Sequence, residues 1–134
     1  MIKIMIIYIY FSSIVPEFER NPSSLLVSIG TTAVFECKAR HCPRTCSVYW
    51  IINDSSTAHN HQQDQYEDQG FTFKHKHNTT SNVYSSRLVV PGSVGINNTE
   101  FCCVVHDGIN HPRKSDQATL IVVSGINYCS RLAK

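Results

Sequence analysis

Cys37, Trp50 and Cys103 constrain this chain more than any other residues. Each sits in its own alternating segment. Ala33-Val34-Phe35-Glu36-Cys37-Lys38-Ala39 switches sides residue by residue, as a half-buried strand does, and so does Val48-Tyr49-Trp50-Ile51-Ile52. In Asn97-Asn98-Thr99-Glu100-Phe101-Cys102-Cys103-Val104-Val105 the odd positions share one face. Side chains alternate along a strand, so Cys103 and not Cys102 points inward. Two inward cysteines and one inward indole on three separate strands suit two sheets packed about 10 Å apart, which need a central tie with a large ring packed on it.

The chain has 134 residues, enough for one domain. A hydrophobic share of 42% against 16% charged fits a globular fold and not a disordered chain. Net charge is +2, and Lys and Arg are scattered with no run that could track a phosphate backbone, which argues against nucleic acid as a partner. Six cysteines in so short a chain point to an oxidising compartment. Cys42-Pro43-Arg44-Thr45-Cys46 has a metal-like gap, but no second matching pair follows, so a structural zinc is not expected.

Residues 1–14 read as a secretory signal: Met1-Ile2-Lys3, then the apolar run Ile4 to Phe11, with a poor cleavage site near Ser12-Ser13. The competing reading is a ragged chain start. The run is too short to span a bilayer comfortably, and no other segment is apolar enough for an anchor. The domain is expected over 15–124, with a tail over 125–134. Residues 15–30 form the opening strand, broken by Pro16 and Pro22. Further strands are expected over 47–52, 71–77, 83–90, 99–106 and 117–123. Asn53 to Gly70 is polar and reads as a loop with at most one or two short edge strands. No helical period persists. The pattern predicts an all-β sandwich of two antiparallel sheets with seven to nine strands.

With these residues in place, the chain resembles an immunoglobulin-superfamily domain of variable or intermediate type over roughly residues 15–124. Asn97-x-Thr99-x-Phe101-x-Cys103 stands where that family usually writes Asp-x-Ala-x-Tyr-x-Cys, Leu88-x-Val90 matches the strand before it, and Ala118-x-Leu120-x-Val122 the last strand. The resemblance implies a Greek-key topology and a Cys37–Cys103 bond across the sheets, with Trp50, Phe35, Leu88 and Phe101 in the core. Such a bond stabilises by roughly 3–5 kcal/mol in the loop-entropy picture. Asn97 replaces the Asp that often pairs with an Arg, and Phe101 replaces a corner tyrosine, losing one hydroxyl bond of about 1 kcal/mol. The other cysteines are expected to pair as Cys42–Cys46 and Cys102–Cys129, the alternative being that Cys129 is free to bond another chain.

Asn53, Asn78 and Asn97 begin acceptor triplets for N-glycans. His59-x-His61 and His75-x-His77 each offer two imidazoles, but the second pair shares the face of Phe71 and Phe73, which tells against an exposed metal site. No nucleophile elbow, metal-hydrolase spacing or phosphate loop appears, so neither an enzyme nor a cofactor is expected. The expected function is extracellular recognition or adhesion: non-covalent binding of a protein ligand, or of itself, on a secreted domain or at the outer face of the plasma membrane. The sheet bearing Trp50 and Cys103 would bind, with the end loops His41–Thr45 and Asp107–Pro112. Arg44, His106, His111 and Arg113 would be polar contacts, and Tyr49 and Tyr66 aromatic anchors where they face outward, which parity gives for Tyr49. The alternative is a structural spacer flanked by neighbouring immunoglobulin domains in a longer protein.

Overall fold

The computed structural model describes residues 14–53, 60–62, 64–67 and 69–124. The first sheet orders β1 (Glu17–Arg20), β3 (Thr32–Arg40), β7 (Val83–Pro91) and β6 (Thr72–Asn78). The second orders β2 (Leu25–Ser28), β10 (Ala118–Val123), β8 (Thr99–His106), β4 (Ser47–Asn53) and β5 (Asn60–Gln62), with the two-residue β9 (Arg113–Lys114) paired to β8. This is an all-β sandwich. One pairing departs from the antiparallel expectation: β2 runs parallel to β10, from Leu25 beside Leu120 to Ser28 beside Val123.

The expected single opening strand is in fact two, in different sheets. Residues 21–24 separate β1 from β2, and Pro22, with no N–H to donate, is buried between them. Side chains then take over the pairing: Asn21 Oδ1 accepts the Asp116 N–H at 2.9 Å and Ser24 Oγ the Thr119 N–H at 2.9 Å. Gly92 permits a close approach where the chain leaves β7. It exchanges backbone hydrogen bonds with Thr31 and Gly30, and a Cβ there would lie 2.4 Å from the Thr31 carbonyl oxygen.

Period-two alternation builds the core. Ala33, Phe35, Cys37 and Ala39 of β3 face Trp50, Ile52, Phe101 and Cys103 of β4 and β8, all buried. Leu88 is also fully buried, and Phe35 stacks on Phe101 with ring centroids 4.6 Å apart. Two ties join the sheets side by side. Cys37 is bonded to Cys103. Their sheet neighbours are Ser86, opposite Cys37, and Trp50, opposite Cys103, and Trp50 Nε1 donates to Ser86 Oγ at 2.8 Å. A buried indole N–H needs such an acceptor. The Ser86 hydroxyl in turn lies 2.9 Å from His75 Nδ1, so it can accept from Trp50 and donate to His75.

The polar stretch after β4 carries β5 and a single helical turn, α1 (Asp64–Glu67). Tyr66 does not meet the condition for an anchor: it is 4% exposed and packs on Phe71 with ring centroids 4.9 Å apart. The turn directs its ring down onto the sandwich.

Candidate loop-end recognition site

At one end of the sandwich the loop after β3 meets the loop after β8. Pro43 O accepts the Cys46 N–H at 2.9 Å, closing a tight turn over 43–46. Upstream, His41 takes the left-handed conformation at φ 60°, and the Cys42 N–H is bonded to Asn82 O at 2.7 Å. His77 Nε2 lies 2.9 Å from Cys42 O and donates to it. Both cysteines are buried. Burial pushes both thiols above the ordinary cysteine value. The structure holds Cys42 and Cys46 as thiols, without a bond between them.

The second loop is fixed by one carboxylate. Asp107 Oδ1 accepts the N–H groups of Ile109 at 2.9 Å and Asn110 at 2.7 Å, and Oδ2 accepts Asn110 Nδ2 at 2.7 Å. Gly108 sits at φ 88°, a conformation glycine adopts without strain. Burial alone would raise the Asp107 carboxyl, but these donors outweigh it and hold the group below the usual carboxylate range. The loops are joined to each other: Thr45 Oγ1 donates to Asp107 O at 2.7 Å. Their outer neighbours are joined too, with Asn110 Nδ2 3.3 Å from Ile14 O and Arg113 Nη1 3.3 Å from Pro16 O.

On this frame Ile109 stands 81% exposed, the most exposed of the large apolar side chains among the described residues. It escaped the sequence reading because Asp107-Gly108-Ile109-Asn110 registers only as a turn. The available signal was a branched apolar residue at the centre of an otherwise polar turn.

The expected contact residues do not form one cluster. Arg44 and His111 are exposed on the two joined loops. Tyr49 and His106 share instead the outward face of β4 and β8, where Tyr49 pairs with Val104 and Ser47 with His106. Tyr49 is 37% exposed. On the same face Cys102 and Val104 are buried although they lie outside the core cluster, and burial raises the Cys102 thiol. Its expected partner Cys129 lies outside the described residues, as do 1–13, His59 and the tail.

Of the glycan acceptors, Asn78 is exposed, its Oδ1 accepting the N–H groups of Thr80 and Ser81 at 3.0 and 3.2 Å. Asn97 is half-buried and its Oδ1 accepts the Val122 N–H at 2.8 Å. Asn53 ends β4, and the rest of its triplet lies outside the described residues. His75 and His77 turn inward to Ser86 and Cys42 O, as described above. Among the described residues no three His, Cys, Asp or Glu side chains come together as metal ligands, and no helix is long and apolar enough to cross a membrane.

No protein-family model matches the chain, and no curated protein matches it.

Proposed function

We propose that this chain is an immunoglobulin-superfamily domain of variable or intermediate type, acting outside the cell as a module that binds another protein non-covalently through its loop end. The strand order supports the family assignment: β1-β3-β7-β6 against β10-β8-β4-β5, with the bonded cysteines on β3 and β8 and the indole on β4. An intrachain disulfide is typical of oxidising compartments and fits secretion.

The observation that carries the binding reading is Ile109, held out on a loop whose backbone is fixed by Asp107 and braced by Thr45. A preorganised apolar anchor loses little conformational freedom on docking. Arg44 and His111 on the same pair of loops form the polar rim around it. The partner is therefore a protein with an apolar socket bordered by acceptors.

Cys42 and Cys46 belong to this reading as a staple. The two thiols close to a disulfide by exchange with a small-molecule disulfide, which leaves as two thiols, before the loop is buried. Trypsin tests the staple directly, because it cuts after Arg44, between the two cysteines. Without reduction, residues 41–44 and 45–74 should be recovered as one linked species. Separate peptides with both cysteines alkylated would refute the bond.

A screen of the secreted domain against cell-surface ectodomains, with sedimentation for self-association, tests the binding. Ile109→Asp should weaken capture at least about tenfold, a hot-spot-sized loss, while the melting temperature stays put. A spacer would be indifferent to that change.

A further inference from the structure

Six of the twelve Lys and Arg side chains, dispersed over 68 residues of sequence, are assembled by strand order onto the outward face of the four-stranded sheet. They are Arg20, Lys38, Arg40, Lys74, Lys76 and Arg87. Three carboxylates share the face: Glu36 bridges Arg20 at 3.2 Å and Arg87 at 3.4 Å, Glu17 pairs with Arg40 at 2.7 Å, and Glu19 with Lys38 at 3.6 Å. The face is thus in cationic excess by three, more than the net charge of the whole chain, +2. Lys74 and Lys76 make no ion pair among the described residues.

Register sets the pattern. Lys74 lies opposite Arg87, which lies opposite Glu36; Lys76 lies opposite Ser85, which lies opposite Lys38. Neighbouring strands are about 4.8 Å apart and same-face residues on one strand about 6.8 Å apart. Lys38, Lys74 and Lys76 therefore stand at the corners of a patch roughly 7 by 10 Å. A shallow trough of about 380 Å³ runs between them, bordered also by Arg20 and Arg87. The acids tether the arginines on the β1 and β3 side and leave the lysines of β6 unneutralised.

We propose that this face binds a sulfated polysaccharide. Charge complementarity requires a polyanion, and chemistry separates the candidates. The aromatic rings of this sheet, Phe73 and Tyr84, pack toward the core, so the outward face offers no stacking platform for bases. It offers instead a flat array of ammonium and guanidinium groups interspersed with Ser85, Thr72 and Asn78, suited to sulfates and hydroxyls on an extended chain. The site is independent of the loop end and does not need the Ile109 reading to hold.

The test is affinity chromatography of the intact secreted chain on immobilised heparin. The domain should be retained at about 0.15 M salt, where screening already acts beyond roughly 8 Å. Lys74→Gln with Lys76→Gln should abolish that retention and lower the slope of log affinity against log salt by about two, one per cation removed. Arg44→Gln with Lys114→Gln removes the same charge elsewhere and should leave elution unchanged. Desulfated heparin should retain nothing. Equal loss in both double variants would reduce the effect to net charge and overturn the proposal. So would retention of a single-stranded oligonucleotide with none of heparin. Unchanged far-ultraviolet circular dichroism in each variant separates lost binding from lost fold.

Discussion

The outward faces of the two sheets follow the same period of two and carry opposite chemistry. On the four-stranded sheet the outward positions hold Arg20, Glu36, Lys38, Lys74 and Arg87 beside Val34 and Val89, and ion pairs between half-exposed groups lace the charged ones except Lys74. On the five-stranded sheet they hold Tyr49, Ile51, Cys102 and Val104, of which Cys102 is 5% and Val104 1% exposed. The difference shows that alternation fixes which side a residue takes and not how deeply it is buried. One outward face is a solvated charge array, while the other is in part a second apolar layer.

The comparison can be broken first at the core both faces share. Trp50→Ala removes the ring between the sheets and its bond to Ser86, and should cost about 3–5 kcal/mol. Amide exchange should rise in both sheets together; loss of protection in one alone would mean that they do not depend on a common centre. Next, an aspartate placed on each outward face should separate them. Val104→Asp buries a carboxylate and should cost at least about 2 kcal/mol. Ser85→Asp, set between Lys38 and Lys76, should change stability by no more than about 0.5 kcal/mol. Similar denaturation midpoints for the two would erase the contrast. Smaller still, Glu36→Gln should cost about 0.5 kcal/mol at low salt and nothing measurable at 1 M, because exposed ion pairs are weak and screened.

The last difference is one of pH. The four-stranded sheet holds a titratable ring among its inward residues. Burial of part of the otherwise exposed His75 ring, whose Nδ1 lies 2.9 Å from the Ser86 hydroxyl, holds it below the ordinary histidine value. The unfolded chain then binds the proton more readily than the native one. The stability this histidine contributes is fully present above the unfolded value, near 6.5, and is lost as pH falls from there through the lower folded value. Melting temperature should decline between about pH 7 and pH 5, and His75→Asn should flatten that decline. An unaltered profile would remove His75 from the tie.

Much of the architecture was legible because period-two alternation is local. It placed Phe35, Cys37, Trp50, Phe101 and Cys103 on inward positions without any knowledge of which strands are neighbours. What stayed hidden depends on neighbours. Lys38 and Lys76 face each other across Ser85 only because β3, β7 and β6 lie side by side, and no local pattern encodes that order. The direction of Tyr66 was not legible because one helical turn in a polar stretch has no period to detect. The split of residues 17–28 between sheets is fastened by Asn21 and Ser24, whose partners Asp116 and Thr119 are remote in the chain. Ile109 was passed over because a turn signature describes the backbone and is silent about what its tip displays.

The parallel seam between β2 and β10 also has a mechanical meaning. Tension between the start of β2 and the end of β10 would drag the two strands past each other lengthwise. The rungs from Leu25 beside Leu120 to Ser28 beside Val123 would then share the load at once, where a hairpin would peel open one rung at a time. A module strung between two surfaces would resist stretching at that seam.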